Sequence, residues 1–321
     1  MRILTGVKPT GNGMHLGNYL GMYKPFMEVA KWKEAFLFLP DFHSLTSVHD
    51  PEIMNRNKKR LAAELFALMP EDITVTIFEQ SKMTHINDMT WILSSVTPYS
   101  LMLRAHSFKD SQTKNSDINM AVFNYPILMT ADIIGYDVDI VPVGKDQKQH
   151  LEFSRDIAQN FNKTYGVDFF KLPEPYIEKT VELIPGTDGR KMSKSYDNFI
   201  GIFDDEKILK KKIMSIETGS ESLEEAKNPD ICNVFNLIHF FASSQKEQEI
   251  RAKYLAGNYG YGHAKLELLD ILLKYFTPAR EKYDIFMSNY DVIQEKLNEG
   301  NKKANALLTE KYLKMKELVG L

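Results

Sequence analysis

The sequence predicts an α/β fold class: a Rossmann-type, doubly wound parallel sheet as catalytic domain, followed by a C-terminal all-helical domain. Three observations lead there. Strand-sized apolar runs alternate with helix-period segments through the first half of the chain. A glycine-rich stretch joins the first strand to the first helical pattern. Beyond about Tyr196 the helical period takes over almost completely.

The elements follow in order. "RILTGV" is a short apolar strand, and "LGNYLGMYKPFMEVAKW" has helical spacing with Pro25 inside it. "EAFLFLPD" reads as a buried strand, and "PEIMNRNKKRLAAELFALM" as an amphipathic helix with Pro51 near its start. "ITVTIFEQ" alternates like a strand. "DIVPVG" is a β-branched strand running into the long helix "KDQKQHLEFSRDIAQNFNKTYG". In the second half, "DDEKILKKKIMSI", "NPDICNVFNLIHFFAS" and "AKLELLDILLKYFTPAREKYDIFMSNY" are helical, with "LAGNYGYGHAK" as a glycine-rich connector. The domain boundary is expected in the loop at 185–198, giving units 1–195 and 196–321. The last helix is a candidate to pack back on the first unit.

Composition sets limits on function. The 321 residues are 43% hydrophobic and 26% charged, as in ordinary globular chains. One cysteine, Cys232, excludes an intrachain disulfide and a cysteine-built zinc or iron–sulfur site. The N-terminus lacks the sustained apolar core of a signal peptide, and no run reaches the ~20 residues of a membrane helix. A soluble, cytoplasmic protein with no membrane partner is the expectation. With 40 basic and 43 acidic side chains the net charge is −3, so nucleic acid would be met at patches rather than by a basic surface. The basic clusters at 55–60, at 207–212 and near the C-terminus each read first as solvated helix faces.

Two stretches carry chemistry. The first, "GVKPTGNGMHLGNYLG", holds five glycines and no carboxylate. Strand, glycine-rich turn and helix start together form an anion or nucleotide site, because free N–H groups face outward there. It matches neither the Walker loop nor the dinucleotide fingerprint. Gly17 lets a flat base lie against the backbone, while His15 and Asn18 are candidate donors to phosphate. The plainer reading is a surface turn with Asn18 as helix cap. The second stretch is "GTDGRKMSKSYDN", where Lys191 and Lys194 alternate with Ser193 and Ser195. Point charges on a loop suit a reaction that builds negative charge on a leaving phosphate. Alone, such a loop reads as solvent-exposed; paired with the first stretch it is specific.

The pair "HLGN" and "KMSKS" resembles the two signatures of class I aminoacyl-tRNA synthetases. With "PDFHSLT" and "NYPILMTADIIGYDVDIVPVGKDQKQHLEFSRDIAQNFN", the chain is similar over its whole length to the tryptophanyl branch. The resemblance implies ATP-dependent activation of L-tryptophan as an adenylate and its transfer to tRNA(Trp) by a homodimer. It implies a catalytic unit that carries the ATP and tryptophan sites and the dimer interface. The helical unit would read the anticodon. Lys8, Pro9, Thr10, Gly17 and Asn18 would contact ATP, with His15 beside them. Gly144, Lys145 and Asp146 would hold ribose and adenine, with Leu183 and Ile184 on the base. Lys191, Met192, Ser193, Lys194 and Ser195 would meet the pyrophosphate. His15, Asn18, Lys191 and Lys194 are the catalytic candidates, and Mg²⁺ would arrive on the ATP phosphates with no protein cage.

Asp132 is the candidate acceptor for the indole N–H, one turn beyond Met129 on the same helix face. A carboxylate there rejects phenylalanine, which leaves it unpaired. For Met129 alone, core packing is the favoured reading. His43, Tyr125 and Gln147 would bind the amino acid's ammonium and carboxylate. The chain departs from the pattern in four places, the first being Asn18, which replaces the second His of the general class I motif, as is usual in the tryptophanyl branch. Lys8 stands where many bacterial relatives have Gln, and Lys145 where many have Glu. Ser111 stands where some have Lys, leaving Lys109 or Lys114 as the third phosphate-binding lysine. Three rivals remain: a tyrosyl-specific synthetase, a catalytically silent paralogue, and a small-molecule adenylyltransferase.

Overall fold

The computed structural model describes residues 1–11, 13–105, 119–142, 148–176 and 184–321. The expectations for Gly144, Lys145, Asp146, Gln147, Leu183, Lys109, Ser111 and Lys114 therefore lie outside the described residues. Five parallel strands form one sheet in the order β3-β2-β1-β4-β5: β1 (Arg2–Gly6), β2 (Glu34–Leu39), β3 (Val75–Glu79), β4 (Ile140–Pro142) and β5 (Glu174–Tyr176). This is a doubly wound sheet with its strand order reversing between β1 and β4.

The strand sequences are apolar on both faces because helices cover both. Along β2, Ala35, Leu37 and Leu39 join one apolar cluster, while Phe36 and Phe38 join the other. "ITVTIFEQ" alternates as a strand should, yet all five residues of β3 are buried. The short β5 was not expected, since three residues with Pro175 at the centre carry too little pattern to be read.

The helical segment after the glycine-rich turn is not one regular helix. It runs as α1 (Leu16–Asn18), a π turn (Tyr19–Tyr23) and α2 (Lys24–Ala30). In the π turn the Lys24 N–H donates to the Tyr19 carbonyl. The missing N–H of Pro25 thus falls where the helix restarts, in a first turn that needs no donor there. Between β2 and β3 lie α3 (Asp41–Ser44) and α4 (Pro51–Leu68), the latter capped by Asp50 through the N–H groups of Glu52 and Ile53. After β3 come α5 (Ile86–Ser95), α6 (Tyr99–Met102) and α7 (Met120–Ile134); α8 (Lys148–Tyr165) links β4 to β5.

From residue 184 onward the described chain holds helices and turns: α9 (Glu206–Met214), α10 (Asn233–Phe241), α11 (Ser244–Ala256), α12 (Tyr261–Ser288) and α13 (Asp291–Leu318). These helices share a core with the sheet. One continuous apolar cluster contains Ile3, Leu37 and Ile77 together with Ile213, Leu237, Leu268 and Leu297.

The last helix, α13, covers the outer edge of β3. Edge strands carry unpaired backbone groups, and α13 supplies partners for them. Asn301 Oδ1 accepts the Glu79 N–H at 2.8 Å, and Asn305 Oδ1 accepts the Thr84 N–H at 2.9 Å. Gly300 makes the approach possible, because a Cβ there would lie 1.8 Å from the Ile77 carbonyl oxygen. Gly300→Ala must therefore push α13 off the edge strand. Urea unfolding of this variant is expected to show a loss of about 3 kcal/mol; an unchanged midpoint would mean that the helix does not sit there in solution.

Candidate active site

The carboxyl ends of the strands gather the candidate residues at the place where the strand order reverses. β1 ends in the glycine-rich turn, β2 in Pro40 and α3 with His43, and β3 in Gln80. Two backbone hydrogen bonds then close the site from the distant loop: Leu16 N–H to Ile200 O and Ile202 N–H to Met14 O, both 3.0 Å. They pair the start of the first signature with the segment that follows the second.

His15 is buried and acts as the cap of α1, its Nδ1 accepting the Asn18 N–H at 3.2 Å. The sequence reading with Asn18 as the cap is thereby corrected: the imidazole caps, and Asn18 supplies the N–H. This bond fixes the neutral tautomer with hydrogen on Nε2. Burial, helped by the Lys194 and Lys212 charges, pulls the His15 imidazole down to about 4.

Lys194 reaches across to the glycine-rich turn. Its ammonium donates to the carbonyls of Thr10 and Gly11, both at 2.8 Å. Burial lowers it to about 8, with Glu64 opposing the shift and Arg60 adding to it. Met192 is buried, and its Sδ accepts the Gly17 N–H at 3.2 Å. Ser193 Oγ accepts the Ser195 N–H, and Asn198 Oδ1 accepts the Ser193 N–H at 2.8 Å. Asn198 also donates to the Lys191 carbonyl and to Asp188, so one buried amide fixes the loop's shape. Lys191 and Ser195 are exposed, Ile184 and Pro9 buried, and Asn18 half-buried. The Lys8 ammonium donates to Thr46 Oγ1 at 2.9 Å, and burial lowers its pKa.

A second group of side chains lies on α7 and α3. Asp132 is 2% exposed. Gln80 Nε2 donates to both of its carboxylate oxygens, at 2.9 and 2.7 Å, and His43 Nε2 lies 2.9 Å away. The Gln80 orientation is forced, because its Oε1 accepts the Phe42 N–H and must be the oxygen. Burial raises the Asp132 pKa, with His43 and then Gln80 opposing it. The Tyr125 ring stands edge-on to His43 at 5.8 Å, and Met129 is half-buried against the neighbouring apolar cluster.

The basic clusters at 55–60 and 207–212 are not wholly solvated. Lys58 pairs with Asp41 at 2.6 Å and Glu79 at 2.8 Å, and Arg60 with Glu64 at 2.7 Å. Lys212 turns inward to the Phe199 carbonyl and ring. Gln80, Glu64, Arg60 and Lys212 were thus missed as site residues. Only the i, i+4 spacing of Arg60 and Glu64 could have hinted at a pair. Among the described residues no three His, Cys, Asp or Glu side chains gather as a metal-ligand set, and no helix is long and apolar enough to cross a membrane.

Comparison with known proteins agrees with this arrangement. Residues 1–277 match the family described as tRNA synthetases class I (W and Y). A tryptophan–tRNA ligase of Fusobacterium nucleatum is 48% identical over all of this chain and 98% of its own length. The tryptophanyl-tRNA synthetase of Campylobacter jejuni, solved with ADP and tryptophan, superposes with a TM-score of 0.95 at 40% identity over the whole of both chains. That of Mycoplasma pneumoniae gives 0.81 at 27% identity, over all of this chain and 98% of its own.

The His15 geometry has a spectroscopic consequence. The unfolded chain takes up a proton near pH 6.5, whereas folded His15 refuses it until about 4. His15 therefore costs stability progressively as pH falls between those values. Nitrogen-15 chemical shifts at pH 5.5 are expected to show a neutral ring with Nδ1 bare; titration near 6.5 would contradict the buried cap.

Proposed function

The chain belongs to the class I tRNA synthetases of the tryptophan and tyrosine kind, a tryptophan–tRNA ligase, and we propose that it charges tRNA(Trp) through a tryptophanyl-adenylate. The observation that carries the adenylate step is the meeting of Lys194 with the glycine-rich turn at the strand-order reversal. A carboxylate oxygen of tryptophan attacks the α-phosphorus of ATP in line. The bond to the bridging oxygen of the β-phosphate breaks, and pyrophosphate leaves; Mg²⁺ brought by ATP would supply further charge neutralisation, with no protein cage for it. The terminal adenosine of tRNA then attacks the adenylate's carbonyl carbon, and AMP leaves.

Little proton transfer is needed, so positioning and charge stabilisation dominate. The turn offers N–H groups and no carboxylate of its own to the phosphates. Lys8, Pro9, Thr10, Gly17 and Asn18 line the ATP side, with His15 holding α1 in place. The Lys194 ammonium lies on that turn, ready to follow charge onto the leaving pyrophosphate, with Lys191, Ser193 and Ser195 on the same loop. The partly depressed Lys194 still carries its charge at pH 7, and the approach of a triphosphate strengthens it.

Asp132 supports selection of tryptophan over phenylalanine. It is buried and acceptor-only when ionised, and Gln80 and His43 fix its two oxygens. An indole N–H satisfies it; phenylalanine brings no donor. Gln80 and His43 stay bonded to the carboxylate in either case, so the discrimination comes from its remaining lone pair, which phenylalanine leaves without a donor. We also assign the helices of 196–321 to tRNA contact, homodimer formation to the sheet-bearing unit, and the cytoplasm as the compartment.

The reading is tested by exchange of labelled pyrophosphate into ATP with each of the twenty amino acids, without tRNA. Exchange with tryptophan alone is expected. Exchange with tyrosine would move the specificity to the sister enzyme. Exchange with none would leave a silent paralogue.

A further inference from the structure

The glycine-rich turn contributes no carboxylate, yet the fold brings one to it from α4. Glu64 is 0% exposed, and its Oε2 accepts the Met14 N–H at 2.6 Å. Arg60, one turn earlier, donates Nε to Glu64 Oε1 at 2.7 Å. Gly13 lies directly over the carboxylate. Its φ is +61°, and a Cβ there would come 2.1 Å from Glu64 Oε1. The turn therefore takes its left-handed step at the residue that passes the carboxylate. Arg60 also extends toward Asp204, 3.5 Å away, in the segment that follows Gly201, the partner of His15.

This cluster has a cost that neutral residues would avoid. A fully buried carboxylate survives in a fold only when well paired, and replacing such a pair with apolar groups is often neutral or stabilising. The pairing with Arg60 and the Met14 N–H is what lets the carboxylate be buried here. The carbonyls of Thr10 and Gly11, which hold the Lys194 ammonium, belong to the same short turn whose Met14 N–H the carboxylate grips.

We propose that Glu64 is a positioning residue for adenylate formation: its buried carboxylate, held by Arg60, fixes the glycine-rich turn by gripping the Met14 N–H and so sets the turn whose carbonyls receive the Lys194 ammonium. The proposal rests on the assignment of Lys194 to the leaving pyrophosphate. The charged and titratable groups facing the pair are Arg60 on α4, Asp204 beyond the lysine loop, Tyr283 on α12 and His15 on the turn. Removing the carboxylate's charge withdraws an attraction for the ammonium, while Arg60 stays to repel it. The Lys194 pKa must then fall below its present value of about 8.

Glu64→Gln keeps the size and removes the charge. The pH dependence of kcat/KM for ATP in pyrophosphate exchange reports the free enzyme. Its alkaline limb is expected to move down by about half a unit or more, with tryptophan affinity unchanged. Glu64→Asp keeps the charge but shortens the reach, so the limb should stay in place while KM for ATP rises. A limb that does not move in Glu64→Gln, or an equal loss of tryptophan and ATP affinity in both variants, would overturn the proposal. A second readout needs no catalysis: trace acetylation of Lys194 across pH, followed by mass spectrometry of the tryptic peptides. Lys194 should become more reactive at pH 7.5 in Glu64→Gln and remain as in the unaltered protein in Glu64→Asp. Identical profiles in all three would overturn the role of Glu64 even if the unaltered protein showed no tryptophan-dependent exchange, an outcome that by itself would strike only the assigned reaction. Should Glu64→Gln fail to fold, Glu64→Asp decides alone: an unchanged KM for ATP would refute the grip on the turn.

Discussion

Two backbone hydrogen bonds between residues 14–16 and residues 200–202 hold the site together. They join stretches separated by most of the sheet-forming chain, and closing so long a loop costs conformational entropy that two bonds cannot offset alone. The sheet supplies the rest. β1 delivers the glycine-rich turn at its carboxyl end, and the apolar cluster that contains Leu16, Met192, Phe199 and Ile200 presses the lysine loop against it. The helical half continues that cluster without a break, so the loop rests on a shared core rather than on a hinge between separate bodies.

Electrostatics then gives the site its character. The ammonium of Lys194 is partly desolvated, the His15 ring is held neutral as a helix cap, and the buried Glu64 carboxylate is occupied by Arg60 and the Met14 N–H. The turn therefore presents backbone N–H groups and cations, with the Glu64 carboxylate fully buried. The amino-acid side has the opposite design. There a buried carboxylate, Asp132, has its oxygens set by the Gln80 amide, whose orientation is itself fixed by the Phe42 N–H.

Much of this was legible in the chain. The alternation of strands and helices, the glycine-rich turn and the lysine loop are local patterns, and local patterns survive in sequence. The burial of Asp132 could be foreseen from its apolar neighbours. What escaped was non-local or too short. The strand at 174–176 has three residues, and the π turn at 19–23 could be suspected only from Pro25. Arg60 and Lys58 looked like a solvated basic face, because nothing in their neighbourhood announces Glu79 and Asp41 as partners or Met14 above Glu64. Gln80 reads as the polar end of a strand until the fold sets it against Asp132. His15 reads in the sequence as a donor to phosphate; the fold adds that its Nδ1 caps the helix it starts, which leaves Nε2–H as the donor.

If Lys194 exerts its charge on the departing pyrophosphate and not on bound tryptophan, rate and tryptophan affinity separate when the charge is removed. The most direct test is single-turnover adenylate formation by Lys194→Ala, measured beside its tryptophan dissociation constant. The account predicts a rate lower by about a hundredfold or more with tryptophan affinity unchanged, since the interaction grows in the transition state. Equal losses in rate and in tryptophan affinity would contradict it.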